Sequence, residues 1–251
     1  MKTICIINHK GGVGKTTSVV NIGAGLAIAN KRVLLVDIDP QSNLSESFGL
    51  IRVKPSIYDS FVNDVAVPIH NVKPNLDVVP ASLDLAMVDL EIAGEMSRES
   101  LLKDILEPVK QNYDFIIIDS PPSLGLLTIN ALVAADDVYI PLEAEFLAYR
   151  GIDSIVGIIE KVRKKLNKNL KIGGVFMTKF NKQRILTRTI REEVSKYFGD
   201  VLLESAIRVN VALAESPANA KDVFEYAPDS KGAEDYKDLV IEILNRQKVT
   251  K

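Results

Sequence analysis

Lys10-Gly11-Gly12-Val13-Gly14-Lys15-Thr16-Thr17 follows the apolar run Thr3 to Asn8 after only His9, and opens into a helix-period segment from Thr16 to Ala29. Strand, glycine loop and helix in that order make an anion site. Glycines allow positive φ, so successive N–H groups can converge on phosphate oxygens, and the helix N-terminus adds partial positive charge. In such a loop Lys15 reaches the β- and γ-phosphates and the Thr16 hydroxyl coordinates Mg²⁺. Two departures from the general G-x-x-x-x-G-K-[ST] pattern stand out: His9 occupies the first glycine position, and an additional lysine, Lys10, follows it.

Working outward, β-branched apolar runs of strand length recur at Arg32 to Asp37, Leu76 to Val79, Phe115 to Asp119, Asp137 to Pro141 and Ile172 to Thr178. Val33 to Val36 and Phe115 to Ile118 are apolar throughout, as strands covered on both faces are. Helix-period segments lie at Asp84 to Lys110 (broken at Gly94 or before Pro108), Ser123 to Ala134, Ile152 to Leu166, Leu186 to Phe198 and Ala233 to Leu244. The alternation predicts an α/β fold, a doubly wound, mostly parallel sheet flanked by helices, with residues 1–251 as a single domain.

KGGVGKTT resembles the deviant Walker A motif of the ParA/MinD group of P-loop ATPases, and the chain is expected to share their P-loop NTPase fold. That resemblance implies that Lys10 reaches the nucleotide of a partner subunit while Lys15 acts within its own, so a homodimer forms when ATP is bound. It also implies ATP contacts from Lys10 to Thr17.

Magnesium-dependent phosphoryl transfer needs a carboxylate near the metal and a group that positions water. Asp119, closing the Phe115 run before Ser120-Pro121-Pro122, reads as that metal carboxylate, acting with Thr16 on Mg²⁺; the alternative is a helix N-cap. Asp37-Ile38-Asp39-Pro40-Gln41 is similar to the DxDPQ switch I of ParA proteins, which implies that Asp39 positions the water and Asp37 is structural. Asp119 with Ser120 to Ser123 resembles the family's switch II. The catalytic candidates are therefore Lys10, Lys15, Asp39 and Asp119.

A guanine-reading Asn-Lys-x-Asp motif is absent, which favours ATP. Ile207 to Pro217 resembles the ParA/Soj segment that packs on adenine, placing Arg208 and Asn210 at the nucleotide; Arg208 stands where a proline is usual.

With 251 residues, 47% hydrophobic and 25% charged, the composition is globular, and one cysteine excludes an intrachain disulfide, a Cys₄ zinc site or a cysteine-held cluster. A reducing, cytoplasmic setting is expected. No apolar stretch reaches the roughly 18 residues of a membrane span, no signal peptide or terminal amphipathic segment is evident, and no membrane partner is expected.

The net charge of −2 conceals opposed blocks. Residues 1–160 hold 12 Lys/Arg against 21 Asp/Glu, residues 161–211 hold 13 against 4, and residues 212–251 hold 6 against 8. Within the basic block, Arg184, Arg188 and Arg191 share one face of a helix, with Lys182 nearby and Leu186, Ile190, Val194 and Tyr197 on the core side. This stripe is the candidate DNA surface, and a second cluster, Lys161 to Lys171, is the lesser candidate. Without a base-reading motif, contacts would go to phosphates, giving salt-sensitive, non-specific DNA binding. By resemblance, the ATP-bound dimer would coat nucleoid DNA and be released when a ParB-type partner stimulates slow hydrolysis. Two alternatives remain open: a MinD-like membrane-associated ATPase, or a ParA-like ATPase positioning a cargo other than DNA.

Overall fold

The computed structural model describes residues 1–144 and 148–249, with no side-chain description at 148–150 and 248–249. The first half contains β1 (Lys2–Ile6), α1 (Lys15–Ile28), β2 (Val33–Asp37), α2 (Asn43–Glu46), α3 (Ile57–Val62), β3 (His70–Lys73), β4 (Leu76–Val79), α4 (Val88–Glu91), α5 (Leu101–Leu106) and β5 (Phe115–Asp119). The second half contains α6 (Leu126–Ala134), β6 (Asp137–Glu143), α7 (Ala148–Lys165), β7 (Lys171–Phe180), α8 (Ile185–Phe198), β8 (Leu202–Arg208), α9 (Ala212–Glu215), α10 (Val223–Tyr226) and α11 (Lys231–Val249).

The strands form one sheet in the order β3-β4-β2-β5-β1-β6-β7-β8, parallel throughout except for the β3–β4 edge pair. This is the expected doubly wound sheet with two more strands. β3 escaped the sequence reading because His70-Asn71-Val72-Lys73 is a polar edge strand, and β8 because Leu202 to Arg208 mixes Glu204, Ser205 and Arg208 into a half-covered edge. The segment 84–110 is corrected more heavily. It is a 3₁₀ turn (Leu83–Met87), α4 and α5, separated by Gly94 and by Ser97 at positive φ, so its apolar spacing came from short pieces.

Period-two alternation sends the strand residues into two cores. Cys5 and Ile7 join Leu34, Val36, Ile116 and Ile118 on the face covered by α3 to α8. Ile4 and Ile6 join Val33, Leu35 and Ile117 on the face covered by α1, α10 and α11. α1 lies close to that sheet because of Gly23: a Cβ there would stand 2.5 Å from Leu35 Cδ2. Among the described residues no helix is long and apolar enough to cross a membrane.

The parallel topology brings the C-terminal ends of β1, β2, β5, β6, β7 and β8 to one edge, where open α/β sheets bind ligands. α8 starts at that edge after β7, whereas α7 ends at the opposite edge.

Candidate functional site: a phosphate loop facing two carboxylate loops

The loop between β1 and α1 leaves the sheet at its centre. Gly12 and Gly14 adopt φ of 74° and 91°, and a Cβ on Gly12 would meet nothing within 4 Å, so the backbone presents open space on its ligand side. Two side-chain bonds fix the loop to the sheet and a third ties it to α1. Asn8 Nδ2 donates to the Pro141 carbonyl (2.7 Å), Thr178 Oγ1 to the Val13 carbonyl (2.9 Å), and Ser18 Oγ to the Gly14 carbonyl (2.6 Å). Ser18 Oγ also lies 3.0 Å from the buried Tyr236 hydroxyl. The sequence reading missed Thr178 and Tyr236, because nothing local marks a threonine on β7 or a tyrosine on α11 as a loop support.

A cavity of about 730 Å³ opens over this loop and is lined by Gly11 to Thr17, Asp39, Lys179, Arg208 and Asn210. Lys15 is buried, its ammonium 3.5 Å from the Lys10 carbonyl. Burial lowers its pKa, opposed by the Asp119 and Asp39 carboxylates, so it is a cation in need of an anionic partner.

Thr16 Oγ1 donates a 2.7 Å hydrogen bond to Asp119 Oδ2. Asp119 is wholly buried at the end of β5, and its Oδ1 has no hydrogen-bond partner among the described residues. Burial, then the charges of Asp37 and Asp39, push the Asp119 pKa up, while the Thr16 bond and Lys15 pull it down. A carboxylate with an orphaned oxygen beside a loop threonine fits an incoming cation. Among the described residues no group of three His, Cys, Asp or Glu side chains could hold a metal alone. That suits Mg²⁺, which is ordinarily held by one or two protein groups, water and substrate phosphates.

Asp37 and Asp39 separate as their positions suggest. Asp37, at the end of β2, accepts from Ser45 N (2.9 Å), Ser45 Oγ (2.7 Å) and Asp39 N (3.1 Å), and burial raises its pKa to about 7. Its acceptor capacity goes to holding the following turn. Asp39 lines the cavity with one oxygen capping the Gln41 amide (3.0 Å).

Lys10 Nζ lies 3.2 Å from Glu143 Oε2, at the end of β6, and Lys179 Nζ lies 3.1 Å from Glu143 Oε1. Lys179, counted within the basic block, therefore sits at the nucleotide edge. Glu143 carried no motif and was missed.

The structure changes the reading of Arg208, Arg191 and the core side of α8. Arg208 lines the cavity, but its guanidinium is held by Asp235 (Nε to Oδ1, 2.9 Å) and Glu234 (Nη2 to Oε2, 2.8 Å), so it is already partnered. Asn210 also lines the cavity while its side chain caps the Ala212 amide (2.9 Å). On and just before α8, Lys182, Arg184 and Arg188 are exposed. Arg191 is not on that open stripe: Nη2 donates to the Glu204 carbonyl (3.2 Å) and carboxylate (3.0 Å), and the guanidinium lies over Phe180. Val194 and Thr187 are the buried residues of this helix, while Leu186 and Tyr197 are 50% and 41% exposed. The helix leans on the edge strand β8 and is covered along a narrower strip than its apolar spacing suggests.

Residues 1–172 match the family model described as an AAA domain. The chain is 48% identical to the sporulation initiation inhibitor protein Soj of Bacillus subtilis, over 96% of this chain and 98% of that protein. It is 42% identical to the chromosome-partitioning ATPase Soj of Treponema pallidum, over 98% of each. Among solved structures, the cobyrinic acid a,c-diamide synthase of Mycobacterium smegmatis with bound ATP analogue and magnesium superposes with a TM-score of 0.89 at 32% identity, covering 100% of this chain and 97% of that one.

Proposed function

The chain belongs to the Soj/ParA family of partition ATPases, and from that premise we propose that residues 1–251 work as one ATPase domain whose ATP-bound dimer holds DNA non-specifically. ATP is hydrolysed with Mg²⁺ as cofactor, a pairing supported by the ATP analogue and magnesium in the related synthase structure. The observation that carries the reading is the Thr16–Asp119 hydrogen bond with its orphaned Asp119 oxygen, a metal seat joined to the phosphate loop.

Each residue then has a task. The loop amides from Gly11 to Thr17 cradle the phosphates, and Lys15 exchanges its weak carbonyl contact for the β- and γ-oxygens. Thr16 and Asp119 would hold Mg²⁺, which when bound would supply the positive charge that phosphoryl transfer requires. Asp39 orients the attacking water. Lys10 leaves Glu143 to reach the nucleotide of the second subunit, which makes the dimer depend on ATP.

Lys182, Arg184 and Arg188 carry the DNA contact. They lie on and just before α8, at the sheet edge shared with the nucleotide, whereas Lys161 to Lys171 lie toward the opposite edge. Pairing two subunits doubles the cationic face and couples DNA retention to ATP. A ParB-type activator raises a slow basal turnover and releases the dimer, so the protein acts at the nucleoid in chromosome or plasmid segregation.

The test is phosphate release from the purified chain with ATP and Mg²⁺, alone, with DNA, and with DNA plus the ParB-type protein of the same genome. Slow turnover that rises severalfold only with both additions is expected. Fast turnover alone, or indifference to both additions, would contradict the proposal.

A further inference from the structure

Glu143 closes β6 with a side chain only 12% exposed and an ammonium on each carboxylate oxygen. Lys10 Nζ lies 3.2 Å from Oε2 and Lys179 Nζ 3.1 Å from Oε1. The two lysines arrive from different elements. Lys10 is tied to β6 by backbone as well as side chain: the buried Asn8 side chain accepts from the Lys10 amide (2.9 Å) and donates to the Pro141 carbonyl (2.7 Å), two residues before Glu143. Lys179 follows Thr178, the residue of β7 that pairs with Glu143, and adopts a φ of 49° where the β7–β8 register shifts. A lysine seldom takes that left-handed conformation, and here it accompanies a side chain that reaches both the cavity and Glu143.

The cluster governs where Lys10 points. Gly11 to Thr17 line the nucleotide cavity but Lys10, one residue earlier, does not; its ammonium is turned to β6 and not to the phosphates of its own subunit. Glu143 is thus an anion that engages Lys10 within one chain, and a phosphate of a second subunit's nucleotide is a competing anion. Withdrawing a cation from a largely buried carboxylate is unfavourable when the carboxylate is left unpaired. Lys179 removes that obstacle, because it stays on the other oxygen when Lys10 leaves.

We propose that Glu143 is a positioning residue for Lys10: it stores the lysine in the unassembled chain, in competition with the nucleotide of the second subunit, and Lys179 is the second cation that lets it release Lys10. The inference rests on the role given to Lys10 above and adds what sets the threshold at which ATP assembles the dimer. Each of the two subunits gives up one Lys10–Glu143 pair on assembly, so the hold of Glu143 enters the dimer equilibrium twice.

The experiment reads the dimer dissociation constant of the full chain by sedimentation at saturating ATP and Mg²⁺, in an Asp39→Ala background that blocks hydrolysis on the proposed reading. A fluorescent ATP analogue checks saturation and thermal unfolding checks the fold. Glu143→Gln, isosteric and uncharged, should tighten the dimer by about tenfold, a few-fold for each pair released, and Lys179→Met should loosen it by about as much. The double variant Glu143→Gln/Lys179→Met should return to the tight value, because Lys179 acts through Glu143. A double variant that stays loosened shows Lys179 acting directly on the nucleotide or the second subunit, and overturns its place in the proposal. If a variant fails to fold, Glu143→Met and Lys179→Gln read the same quantities. A Glu143→Gln dimer no tighter than its parent overturns the storage role, and the role of Lys10 still stands if Lys10→Ala/Asp39→Ala is monomeric. If that control dimerises normally, the role of Lys10 falls and the storage role falls with it.

Discussion

The Thr16 hydroxyl and Asp119 Oδ2 are joined by a 2.7 Å hydrogen bond across 103 residues of sequence, and the second Asp119 oxygen is buried without a partner among the described residues. The pair ties the start of α1 to the end of β5 before any ligand arrives, at the cost of holding a carboxyl where burial disfavours its charge. Such a site is strained toward what it binds.

Asp119→Asn is accordingly expected to separate function from stability. Turnover with ATP and Mg²⁺ should fall by roughly 10–100-fold or more, as for groups that orient a metal's surroundings. Thermal unfolding without nucleotide should occur at the same or a higher temperature, because a neutral amide avoids the burial of charge. Calorimetry and phosphate release on the same preparation check both halves; a large drop in Tm would show the carboxylate to be structural.

Much of this site was legible in the sequence, because its parts are local. The loop, Asp39 and Asp119 each sit at the end of an apolar run, and strand ends in a parallel sheet converge. What was not legible depends on contacts far apart in the chain. Glu143, Thr178 and Tyr236 acquire their positions only through β6, β7 and α11. Likewise Arg191 looks equivalent to Arg184 and Arg188 on a helical wheel, until β8 covers one side of α8 and gives it Glu204 and two carbonyls.

That difference yields a paired prediction. Lys182→Glu/Arg184→Glu/Arg188→Glu should abolish ATP-dependent DNA retention with little change in Tm, since exposed substitutions usually alter stability by about 0.5 kcal/mol or less. Milder neutral versions should flatten the salt dependence by about 0.9 in log–log slope for each phosphate left without its cation. Arg191→Ala should instead lower Tm, because it removes charge-assisted bonds made by a half-buried side chain. Retention unchanged in the triple variant would remove α8 as the DNA face.

Gly23→Ala tests the close approach of α1 to the sheet. The added methyl meets Leu35, itself fully buried, and should destabilise the fold by about 1–3 kcal/mol, the usual range for overpacking. At about 2–4 °C per kcal/mol for a chain of this size, the loss is readable by thermal unfolding. An unchanged Tm would mean the helix can move off the sheet freely.

Asp37 supplies a pH dependence. Burial lifts its pKa in the folded protein to about 7, above the unfolded value near 4, so between those values the folded state holds a proton that the unfolded state has released. Its contribution is fully present below about pH 4 and is lost as pH rises through about 7. Without nucleotide or metal, wild-type Tm should therefore fall across that window relative to Asp37→Asn. Parallel curves for the two proteins would refute the assignment.

On the function proposed, Lys10 completes the site of a second subunit, so that ATP controls dimerisation. Asp39→Ala, which should block hydrolysis and hold the ATP state, gives the cleanest background. Light scattering with ATP and Mg²⁺ should report twice the monomer mass for Asp39→Ala and the monomer mass for Lys10→Ala/Asp39→Ala. A normal ATP-dependent dimer in the double variant would contradict the role of Lys10 and, with it, the control of assembly by ATP.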